Sequence, residues 1–237
     1  MQPREILAQA VDALEHEQNT HRALELDQQA AQEAENAGDL ATAAEAKSHE
    51  ALVLRRIYRQ TDDHQYLDQS VQVARQSVEL AKRLSDTSAW MMPLFKAASS
   101  YYAAGLAQEA VAAMDEAIQI MHTNPPATHD RPSVLHDMRI HREYFAYQAG
   151  DKTAIDRLEQ AIDDLRSAGD PDIYALDVWA SGGYLKAAEV LVDDDPARGL
   201  ANLMKARDII AANPELVLRR SDWNALAERY GRGDLFA

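Results

Sequence analysis

Apolar residues recur along this chain with two superimposed periods. Within a stretch they fall three and four positions apart, which is one face of an α-helix. The stretches themselves return at a longer interval, best seen in Tyr101, Gly105, Ala110, Met114 and Ala117, where a helix carrying an aromatic meets a glycine turn and then a second helix. Related sets are Tyr58, Leu67, Val71, Ala74 and Phe145, Ala154, Leu158, Ala161, with weaker ones at Val190, Gly199, Leu203, Ala206 and at Leu14, Ala23, Asp27, Ala30. Anchored on the last Ala of each set, the steps are 44, 43, 44 and 45 residues. A period of this length marks stacked helix pairs, in which small residues let two helices approach and the large residue between them packs on the next pair.

The pattern predicts helices over residues 3–17, 21–37, 40–60, 64–84, 87–104, 107–123, 132–149, 152–168, 171–192, 196–212 and 215–230. That is five pairs and a terminal capping helix. Punctuation agrees: Gly38-Asp39, Ser85-Asp86 and Gly169-Asp170 each close one helix and offer Asp to cap the next. Asp195-Pro196 and Asn213-Pro214 read as a cap followed by proline at the first helical position. One connection is irregular, HTNPPATHDRPS at 122–133, with three prolines. Because the repeat step continues from Ala117 to Ala161, it reads as an exposed loop within a single domain spanning 1–237, with a domain boundary there as the alternative. The terminal helix carries a stripe of Leu216, Val217, Trp223, Leu226 and Tyr230. Residues 231–237, GRGDLFA, are expected to be a flexible tail in which Leu235 and Phe236 could dock on another copy.

Composition narrows the picture. Few aromatics (6%), nine Gly and eight Pro in 237 residues leave little of what strands and hairpins need, so the chain is all-α. With no Cys there are neither disulfides nor thiolate metal sites. The start MQPREILAQA has no apolar leader core and no long apolar run follows, so a cytoplasmic location without membrane insertion is expected. A formal charge of −15 argues against direct nucleic-acid binding. Abundant Ala, and Arg in excess of Lys, suggest a high-GC bacterial source.

Enzymatic motifs are weak. His136-Asp137 and His141 in LHDMRIHREYF invite a helical metal-dependent hydrolase. The two His are five apart, about 140° around a helix, and so cannot share a metal. Asp193-Asp194-Asp195 lacks the alternating ligands of a calcium loop and reads as a cap. Gly182-Gly183 has no following Lys-Ser or Lys-Thr and reads as close helix packing. No nucleophile or cofactor motif is evident, and Trp90, Trp179, Trp223, Met91 and Met92 read as interior filling.

The segments YYAAGLAQEAVAAMDEAIQI at 101–120 and YLDQSVQVARQSVELAKRLSD at 66–86, with the AGD and LSD turns, resemble the tetratricopeptide repeat family, in particular its longer-helix members as in kinesin light chains. Departures are His141 and Arg142 where small residues are usual, and Asp27 at a large apolar position. The resemblance implies a right-handed α-solenoid whose first helices line a concave groove that takes peptides or protein segments. Carrying the groove-facing phase onto this sequence gives His49, Arg56 and Arg59; Phe95, Ser99 and Tyr102; Arg139 and Tyr147; and Tyr184. Arg56 and Arg59 share a helix face, and guanidinium groups beside Tyr102 and Tyr147 suit an acidic or carboxylate-terminated peptide. The bland alternative pairs Arg55, Arg56 and Arg59 with Asp62 and Asp63 on a solvated face. The expected function is a peptide- or protein-binding scaffold, as in the regulatory module of a bacterial signalling system. A structural homodimer is the alternative class.

Overall fold

The computed structural model describes residues 2–232, so the expected docking of Leu235 and Phe236 lies outside the described residues. Every regular element among them is helical, and none is long and apolar enough to cross a membrane. The chain forms two compact units, Met1–Thr128 and His129–Ala237, which meet in the sequence within the proline-rich loop.

The first unit holds α1 (Pro3–Glu15), α2 (Thr20–Ala37), α3 (Leu40–Thr61), α4 (His64–Lys82), a 3-10 turn (Thr87–Trp90), α5 (Met91–Ala103) and α6 (Ala107–Thr123). They pair as α1–α2, α3–α4 and α5–α6, and the first helices α3 and α5 also touch. The caps are those the sequence offers. Gly38 ends α2 in the left-handed region at φ +74°, and the Asp39 side chain accepts from Thr42 N at 3.1 Å. Asp63, which the sequence offers only as a partner for arginine, caps α4 through Gln65 N. Packing rests on small side chains: Ala51, Ala74 and Ala97 from α3, α4 and α5 form one buried cluster. Ser70 and Ser77 on α4 donate to the carbonyls of Ala51 and Ala44 on α3.

The second unit holds α7 (Pro132–Gln148), α8 (Ala154–Ser167), α9 (Ile173–Leu191), α10 (Pro196–Ala212) and α11 (Val217–Arg229). Three predicted starts move, that of α8 from 152 to Ala154 among them. Asp170 does not cap α9, because its carboxylate takes the Ser133 hydroxyl and Asp172 N, and Asp172 is the cap instead. Asn213 accepts from Glu215 N, which makes Asn213-Pro214 a local turn and delays α11 to Val217. The terminal stripe is otherwise buried through Leu216, Trp223 and Leu226, but Val217 is 68% exposed.

Two glycines in this unit are contact points. A Cβ on Gly183 would lie 2.8 Å from Ile162 of α8, so α9 is as close as a glycine permits. A Cβ on Gly199 of α10 would fall 1.9 Å from the Tyr230 hydroxyl, which donates to Ala188 O at 2.6 Å. Gly199→Val should therefore evict Tyr230 and cost about 1–3 kcal/mol, the usual range for overpacking. The check is a shift of the urea midpoint to lower concentration, and an unchanged midpoint would refute the contact.

Candidate functional site

The first unit carries a cationic strip on α3 and α5. Arg56 is half-buried and Arg59 exposed, and just before them in sequence lies Arg55, only 9% exposed. None of the three forms a hydrogen bond or ion pair among the described residues. Asp63 caps α4, Asp62 closes α3 at φ +58°, and neither carboxylate forms an ion pair with these arginines among the described residues. The Arg55 Nε has no acceptor, and burial, with Arg59 and Arg56 adding repulsion, pushes its guanidinium down to about 10. On α5, Lys96 is held below its ordinary value by burial and by Arg55, against the pull of Glu45, Asp27 and Glu15. Phe95, Ser99 and Tyr102 of α5 are half-buried.

His49 is placed differently from the expectation. It is buried, and its Nδ1 lies 2.8 Å from both Asp27 oxygens. The pair joins α2 to α3 and offers no surface to a ligand. Asp27 at an apolar repeat position is thereby explained, because its partner comes from the next helix, 22 residues on.

In the second unit Arg139 is half-buried on α7, whereas Tyr147 and Tyr184 turn inward. The Tyr147 hydroxyl donates to Asp194 at 2.6 Å in the α9–α10 turn. Tyr184, 1% exposed, donates to Asp163 of α8 at 3.2 Å. Along the middle of α9 the side chains left partly exposed are instead Trp179, Lys186 and Glu189, and this rotation is the correction to the expected phase. Its cause is the glycine pair, which faces α8 and α11 where side chains cannot fit. The spacing 179, 182, 186, 189 was a readable signal. This face meets Asp137 and His141 of α7 and Arg219 of α11. Burial pushes the Asp137 carboxyl up to about 6, against Lys186 and Arg219, and brings Lys186 down to about 8, helped by Arg219.

A crystal structure of nearly identical TPR-like repeats, described as a kinesin light chain from Podosopora anserina, superposes on this chain with a TM-score of 0.60 at 16% identity, covering 88% of this chain and 95% of that one. A single-substitution variant of the same repeats gives 0.62 at 16% identity, covering 91% and 99%. The fold is that of TPR-like repeats. No protein-family model and no curated protein matches the sequence. The likeness is thus carried by helix spacing, in an array built from helix pairs that cannot bury their apolar faces alone. Function has to be argued from the side chains that these helices present.

Proposed function

We propose that this chain is a TPR-like scaffold that binds an acidic or carboxylate-terminated segment of a peptide or protein against α3 and α5 of its first unit. The observation that carries this reading is the set Arg55, Arg56 and Arg59, three guanidinium groups on one helix that form no ion pair among the described residues, in a chain of net charge −15. Cations that the fold leaves unneutralised are stabilised by an incoming carboxylate, which guanidinium binds in a two-pronged, planar geometry. Phe95 and Tyr102 on the adjoining α5 supply flat contact for the ligand's apolar parts.

A displayed peptide library, screened with free and with amidated C-termini, tests it. Acidic and free-carboxylate peptides should be enriched, and their affinity should fall with salt. Arg56→Glu combined with Arg59→Glu should weaken the selected peptides by about a hundredfold or more with helicity unchanged. Binding that survives the double reversal would refute the cationic strip. A library that yields nothing would move the reading to self-association through Ile173, Tyr174, Val217 and Leu218, the exposed large apolar residues of the second unit.

A further inference from the structure

Among the described residues the large apolar side chains that stand exposed all lie in the second unit: Ile173 (63%) and Tyr174 (49%) open α9, and Val217 (68%) and Leu218 (70%) open α11. Contacts between the two helices set these starts side by side. Asn213 Nδ2 donates to Asp177 Oδ2 at 3.2 Å, Arg219 Nε donates to Val178 O at 3.2 Å, and the Tyr230 hydroxyl donates to Ala188 O at 2.6 Å. The order of these contacts makes α9 and α11 parallel, so both begin at one end of the unit. Tyr174 stands one turn before Val178 and Leu218 adjoins Arg219, which gathers the four side chains on neighbouring helices at that end.

The charged groups bordering this patch are mostly engaged within the unit. Asp172 accepts from Ala175 N at 2.9 Å, Asp177 accepts from Asn213, and Arg219 is 3.3 Å from Asp222. Arg220 is engaged as well, which leaves Glu215 as the open charge of the border. A partner selected for opposite charge finds little to pair with, so the occupant is apolar. Four side chains of this size present roughly 400 Å² per copy, as much as the largest patch on an ordinary monomer. The first unit exposes no large apolar side chain among its described residues, so the matching surface that this chain can offer is the same patch on another copy. A surface that complements itself pairs through a two-fold axis.

We propose that this end of the second unit is a homodimer interface, in which the first turns of α9 and α11 pack on those of a second copy about a two-fold axis. Burying both patches removes roughly 800 Å² of apolar surface, which with a polar rim approaches the ~1,200 Å² at which specific interfaces begin. An association of that size is weak, with a dissociation constant in the micromolar range. Each copy carries a charge of −15, so two copies repel at a distance and salt strengthens their pairing. That sign is opposite to the one expected for an acidic peptide on α3 and α5, and the interface stands independently of that reading.

The test is sedimentation velocity of the full chain across the micromolar range, at low and at high salt. A monomer–dimer equilibrium that tightens with salt is expected. Val217→Ser with Leu218→Ser leaves the charge unchanged and strips the α11 half of the patch, and should raise the dissociation constant by about a hundredfold. Tyr174→Ser, on the other helix, should raise it as well. The substituted side chains are exposed, so helicity should match the wild type, and the salt series of the wild type gives its answer without any variant. A chain that stays monomeric throughout, a dimer that salt dissociates, or one that survives Val217→Ser with Leu218→Ser overturns the proposal. Leu235→Ser with Phe236→Ser should dimerise like the wild type, and loss of the dimer there would give the patch to those residues and overturn the two-fold pairing. Arg56→Glu with Arg59→Glu should also dimerise like the wild type, which separates failure here from failure of the peptide reading.

Discussion

Asp27→Ala should lower the free energy of unfolding by about 3 kcal/mol, because it strips a buried imidazole of its acceptor and leaves a void between α2 and α3. Asp27 is 0% exposed and His49 5%. Both are polar groups that the surrounding Ala and Leu side chains cannot satisfy. Replacing the pair together, Asp27→Leu with His49→Ala, restores the apolar residue of the other repeats at nearly the same volume and should recover most of the loss. Asp27→Asn isolates the charge. Burial raises the Asp27 carboxyl above its ordinary 3.8, with the His49 hydrogen bond and charge acting in the opposite direction. A group whose pKa is higher folded than unfolded contributes stability that is complete below the unfolded value and is lost as the pH rises through the folded one. The Asn variant keeps an acceptor and has no such titration. Its stability relative to the wild type should therefore climb as the pH rises from 3.8 through the weakly acid range. Urea unfolding of the four proteins at several pH values measures this, and parallel pH profiles for wild type and Asn would overturn the assignment.

Trp223→Ala should cost about 3–5 kcal/mol, the range for deleting a large aromatic from a packed interior. Trp223 is fully buried, and its Nε1 donates to Leu203 O of α10 at 2.8 Å. With Leu226 and Ala227 it holds the helix that closes the second unit. Losing it should free α11, seen as early proteolysis within residues 217–229 and faster amide exchange on the covered face of α10. Trp223→Phe keeps most of the packing and gives up the hydrogen bond, so its cost should be nearer about 1 kcal/mol. Equal losses for Ala and Phe would assign the stabilisation to the indole N–H.

Helix positions were legible because the signals are local. Asp39 and Asp195 each sit where a side-chain oxygen can reach the first amides of a helix, and a reading of neighbours finds them. The side-chain inventory of the site was less legible because it depends on rotation about the helix axis. On α9 an error of phase exchanged buried Tyr184 for accessible Lys186, two positions apart, and only the contacts of Gly182 and Gly183 resolve it. Arg55 was noticed with its neighbours, but its burial has no sequence signature, since an Arg flanked by Arg56 reads as solvated. In sequence Asp27 reads as a departure from the repeat and His49 as a groove residue. Half a repeat apart, they fall on touching helices, and the period already present in the alanines contained that pairing.

The smallness of the residues at the helix contacts has a consequence for which sequences can build such an array. Where Ala51, Ala74 and Ala97 meet, or Ser70 and Ser77 bond to a carbonyl, the junction asks only that a side chain not be large. Such a rule restricts a few positions per turn by size and leaves the rest open to substitution. Sequences can then differ at most positions while the stacking of helix pairs stays the same, as the 16% identity at a TM-score of 0.62 illustrates. In a chain of this kind, the architecture is recorded in the intervals between its smallest residues.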